Sequence, residues 1–140
     1  MTYASGTEAV SMNVKTSTTV AGAGYILTND STNNTVDLSA ATEIGLFISA
    51  DESSRDAAGD LETSSATVSA YPLGGVLLVA ATASQTYTTG LTVYVGANGL
   101  ATVTAGSNKK LGLYVGGGVT ASSTNGETLV PVATAGAAIA

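Results

Sequence analysis

The chain has 140 residues, ten of them acidic and four basic, for a net charge of −6, and it contains neither Cys nor His. Disulfides, thiolate or imidazole metal ligands, and nucleophilic catalysis of the Ser-His-Asp or Cys-His kind are therefore excluded. Lys109-Lys110 is the one basic pair, too little positive charge to track a phosphate backbone, so no nucleic-acid partner is expected.

Only 10% of residues are charged, and Trp is absent. Ala, Thr, Gly and Ser dominate, followed by Val and Leu. Good surface helix formers are scarce and β-branched residues abundant, which predicts a mainly β fold. A chain of this length buries a real core without covalent staples. No basic n-region opens it, no apolar run reaches spanning length, and no basic amphipathic stretch addresses an anionic bilayer. Neither a signal, nor a membrane helix, nor a membrane partner is expected.

In chain order, residues 1–8 (MTYASGTE) lack periodicity and read as a flexible N-terminal arm. Residues 9–140 read as a single β domain. Strands are predicted at Ala9–Val14, Tyr25–Thr28, Thr35–Leu38 and Ile44–Ser49. After the one short helical candidate, Glu52–Leu61, come Ala66–Tyr71, Val76–Ala80, Leu91–Val95, Ala101–Thr104, Leu111–Val115 and Thr128–Thr134. Gly- and Asn-rich turns separate them. Asn98-Gly99 is the strongest hairpin signal, because a type I′ turn needs φ > 0 at both central positions. Many short strands with such turns predict a small β-barrel or sandwich. Asn29-Asp30-Ser31 and Asn33-Asn34-Thr35 are formal glycosylation sequons, read here as turn chemistry.

The chain also matches itself. An ungapped shift of 67 residues aligns 23–68 with 90–135. It lays Ile44-Gly45-Leu46-Phe47-Ile48 on Leu111-Gly112-Leu113-Tyr114-Val115, and Ala66-Thr67 on Ala133-Thr134. Three blocks stay in register and the aromatic is preserved, which favours two related halves over chance similarity between Thr- and Ala-rich segments. Ile44 and Leu46 would face one side and Phe47 the other; Leu111 and Leu113 would likewise oppose Tyr114. Strands apolar on both sides are expected to be covered on both sides, with Gly45 and Gly112 marking bends or close backbone approaches.

Three segments carry a resemblance: Leu91-Thr92-Val93-Tyr94-Val95, Leu111-Gly112-Leu113-Tyr114-Val115 and Gly126-Glu127-Thr128-Leu129-Val130-Pro131-Val132. Their progression resembles that of tailed-phage capsid decoration, or cement, proteins, over most of residues 20–135. The resemblance implies a mainly β virion protein on the outer capsid surface that stabilises the shell by bridging coat subunits, with the major capsid protein as partner. It also implies a homo-oligomer, with a trimer favoured, and an arm that orders against the shell. Thr16–Ala21 and the acidic stretch Asp51–Glu62 depart from the pattern. A β-module of a surface layer, fibre or adhesin is the alternative, and a carbohydrate- or metal-binding module a third class.

No enzyme is expected, and no cofactor. Ser107 beside Lys109 and Lys110 reads as a solvated turn, and Gly116-Gly117-Gly118 leads into no helix, so neither a Ser–Lys dyad nor a phosphate cradle is predicted. Asp51, Glu52, Asp56, Asp60 and Glu62 around Arg55 match no calcium loop. Tyr94 and Tyr114, inside strands, are expected in the core. The candidate interface residues are Thr2 and Tyr3 in the arm and Tyr87 in a Thr-rich loop, because Tyr buries much area at low entropic cost. Plain exposure is their alternative reading.

Overall fold

The computed structural model describes residues 8–30 and 34–134. Val- and Thr-rich stretches become short strands, and no α-helix occurs among the described residues. Twelve strands are numbered in chain order: β1 (Val10–Asn13), β2 (Ile26–Asp30), β3 (Thr35–Leu38), β4 (Phe47–Ser49), β5 (Thr67–Pro72), β6 (Gly75–Ala80), β7 (Thr86–Tyr87), β8 (Thr92–Val95), β9 (Ala101–Thr102), β10 (Lys110–Tyr114), β11 (Val119–Thr120) and β12 (Leu129–Thr134). The protein is all-β, as its composition predicts.

Sheet 1 runs β1-β5-β4-β2-β3 and sheet 2 runs β6-β12-β10-β8-β9; β7 and β11 form a separate ribbon. Every ladder is antiparallel. With β7 and β11 set aside, the two sheets share one connectivity, in which first, fifth, fourth, second and third strands lie side by side. Each sheet also curls the same way. A lone parallel bridge joins the end of its first strand to its third, Val14 to Val36 in sheet 1 and Ala81 to Ala101 in sheet 2. A single bridge is not a ladder, so neither sheet closes into a barrel. The halves differ in length: Ile26 pairs with Ile48, whereas Val93 at the matching place in sheet 2 pairs with Gly112.

Two apolar clusters hold the molecule. One lies within the first half, where Val14, Val20, Leu27, Val36 and Val68 pack together. The other crosses between the sheets and joins Ile26 and Ile48 to Val79, Val93, Leu111, Val130 and Val132. Backbone bonds tie the halves as well: the Ala80 amide donates to the Gly24 carbonyl (2.7 Å) and the Gly99 amide to the Ser39 carbonyl (2.8 Å). Gly99 sits at φ +72°, and a Cβ there would lie 2.8 Å from the Ile26 carbonyl oxygen, so a side chain is excluded twice over. Asn98, at φ 56°, is also left-handed, as the hairpin signal requires, although the loop between Val95 and Ala101 is longer than a two-residue turn.

Two expectations are corrected. Glu52–Leu61 is no helix but a looped hairpin, pinned by an antiparallel bridge between Arg55 and Leu61. Its sequence competes against helix: Asp56 Oδ1 accepts from the amides of Ala58 (2.9 Å) and Asp60 (3.0 Å), and Gly59 turns at φ +89°. Along β10, Leu111 and Tyr114 both enter the core while Leu113 points out. The cause is a register shift between Lys110 and Gly112, which turns one residue against the simple alternation. The close approach expected at Gly112 is real, since a Cβ there would overlap the Ala133 carbonyl.

Candidate functional site

Several of the side chains able to carry chemistry hold loops. Arg55 grips the Glu52 carboxylate with two bonds (2.5 and 3.1 Å) and donates to the Gly59 carbonyl (2.5 Å). Hydrogen bonding from that guanidinium holds the Glu52 carboxyl below its usual range, and the carboxylate in turn raises Arg55. Glu62 accepts from the Ser54 hydroxyl (2.7 Å). No group of three or more Asp, Glu, His or Cys among the described residues could hold a metal ion. Gly116-Gly117-Gly118 connects β10 to β11, and its carbonyls accept from Thr89 Oγ1 and Tyr114 Oη, which is loop fixation. Ser107 is exposed in a turn closed by the Asn108 amide on the Ala105 carbonyl (2.8 Å).

The feature that the rest of the fold does not account for is the outward face of sheet 2. Cross-strand partners share a face of a sheet, so the ladders define its rows directly. One row runs Val76, Ala133, Leu113, Thr92 across four strands. The next places Leu78 beside Pro131, whose carbonyl accepts from the Val115 amide (3.0 Å). Pro131 lacks an N–H, but β10 ends at Tyr114, so the missing donor falls where the neighbouring ladder has stopped. Leu129 closes the face opposite Ala80.

Five large apolar side chains of this face stand in solvent: Val76 at 57%, Leu78 at 56%, Leu113 at 49%, Val115 at 45% and Leu129 at 38% exposure. No charged residue lies in these rows. Alternate residues of the same strands (Leu77, Val79, Leu111, Tyr114, Val130 and Val132) are the core beneath. Beside the face, a groove of about 370 Å³ runs along β6, between Val76 and Leu78 on one side and Ala23, Ala50 and Tyr71 on the other.

Charge is distributed to match. Nine of the ten acidic residues precede Gly75, with Lys15 and Arg55 among them; only Glu127, Lys109 and Lys110 follow it. The first half thus carries net −7 and the second net +1. The half built on sheet 1 is therefore acidic, and the half that carries the apolar face is nearly neutral.

Of the predicted interface residues, only Tyr87 is among the described ones. Thr2 and Tyr3, with most of the arm, lie outside the described residues. Tyr87 is corrected: it is fully buried in the core, and its hydroxyl donates to the Ala101 carbonyl (3.2 Å). Its ring packs on Tyr114 with centroids 5.6 Å apart. The loop reading failed because Thr86–Tyr87 is a two-residue strand paired with Val119–Thr120, too short for any periodicity. Tyr114 is buried as expected, and Tyr94 is half-buried. What the sequence did signal is the double-sided apolar pattern of β10, and the same signal runs through GVLLVA and LVPVAT. No protein-family model matches the chain, and no curated protein is significantly similar to it.

Proposed function

We propose that this protein is a structural subunit of a virion, decorating the outer surface of an icosahedral phage capsid and stabilising the shell by bridging neighbouring coat subunits. The single observation that carries the reading is the apolar outward face of sheet 2. Five of the seven exposed large apolar side chains among the described residues gather there. Such a molecule acts by contact, contributing area, shape and number. An interface on the order of 1,600 Å², repeated over many copies, opposes rupture without chemistry, and linked copies bind with avidity beyond that of one site. The segment resemblance supplies the coat protein as partner, and the virion as location, for this contact function. The doubled five-strand topology also suits a surface-layer, fibre or adhesin module, which is the competing reading.

Imaging of purified particles with and without the protein tests it. Added protein leaves ordered density on the outer shell and raises the temperature at which heads open. Bare shells that look and melt the same after saturation with the protein would refute the reading.

A further inference from the structure

We propose that the outward face of sheet 2 is covered by the same face of a second copy of this chain, related by a two-fold axis. The inference rests on that contact reading and uses the face to link copies, so shell binding falls to the remaining surface and gains from their avidity; the pairing itself requires no coat protein.

It starts from strand composition. A strand apolar on alternate positions has one buried face, and a strand apolar on successive positions has two. β6, β10 and β12 are of the second kind, yet apart from Ala80, where the Gly24 segment lies against the sheet, the large apolar side chains of their outer side are uncovered. The five exposed side chains leave a contiguous apolar area on the order of 400 Å², the size at which patches on single chains mark interaction sites. With half-buried Pro131, Ala133 and Thr92 added, two such faces bury close to the roughly 1,000 Å² needed by a specific contact. The relief suits interdigitation: small Ala133 lies between Val76 and Leu113, leaving a notch for a large side chain of the facing sheet, as in aligned sheet packing.

The partner follows from the half that carries the face. That half is net +1, so two copies meet through it without strong like-charge repulsion. A face matched to itself by a two-fold axis closes the assembly at a pair, whereas a head-to-tail repeat would leave one such face uncovered at its end.

Sedimentation of the full chain, with no capsids present, decides the matter. The expected mass is twice the 13.6 kDa of one chain. Leu113→Asp and Leu78→Asp, both at half-exposed positions, should raise the dissociation constant at least about 100-fold by placing a carboxylate in an apolar contact. Both variants should keep the wild-type far-UV dichroism, and their melting temperature should lose the dependence on protein concentration that the wild-type pair shows. Val10→Asp, at an exposed position on sheet 1, should leave the pair intact. A monomeric wild-type chain would overturn the proposal, as would a trimer or larger species unmoved by Leu113→Asp. A monomer whose attachment to shells is abolished by Leu113→Asp would assign the face to the coat protein instead, and that outcome leaves the shell-decoration reading standing.

Discussion

Tyr87 shows how much a single side chain can hide from sequence reasoning. Flanked by Thr and followed by Gly90, it has the surroundings of a surface loop, yet it fills the space between the ribbon and sheet 2. Burial pushes its phenol up to about 12, against about 10 for an unfolded chain. The folded state keeps this proton after the unfolded state has lost it. Stability contributed by the neutral phenol is therefore complete below pH 10 and is lost as pH rises from 10 through 12, by about 2–3 kcal/mol. Denaturant titrations across that window should show the fall, and Tyr87→Phe should remove this component of it. The hydroxyl itself adds little at neutral pH, because the Ala101 carbonyl also accepts from the Thr82 amide and hydroxyl. Ser39 is the converse case. Its fully buried hydroxyl has no hydrogen-bond partner among the described residues, so Ser39→Ala should raise stability by about 1 kcal/mol, measurable as a higher melting temperature.

At the scale of elements, ten of the twelve strands were legible, because Val, Thr, Tyr and Ile stretches bounded by Gly and Asn leave few other conformations. β7 and β11 were not legible: two residues each, they exist only because they pair with one another. The acidic stretch read as a helix because charges and Ala favour one locally. Asp56 and Arg55 instead satisfy the backbone of a loop, a competition that only geometry reveals. The candidate face was half legible. Apolar residues on both sides of β10 signalled double coverage, but which residues stayed outside depended on the register shift at Gly112. That glycine is a sensitive point. A methyl at Gly112 meets backbone of β12, whereas one at Gly45 meets the movable Ile26 side chain at 2.6 Å and one at Gly117 meets nothing. Gly112→Ala should cost about 3 kcal/mol, Gly45→Ala less and Gly117→Ala near zero, a ranking readable by thermal unfolding.

The whole molecule is two curled sheets of one connectivity, joined by a common core and divided by charge. Ile26 and Ile48 of the first half complete the core of the second, so the apolar face is held on a rigid support. With five large apolar side chains exposed on that face, the proposed role is adhesion in a defined orientation. The most direct test is electron cryo-microscopy of capsids assembled without the protein, imaged before and after its addition. The account predicts regularly placed surface knobs spanning the seams between coat subunits, present only after addition. Capsids with an unaltered outer surface at saturating protein would contradict it.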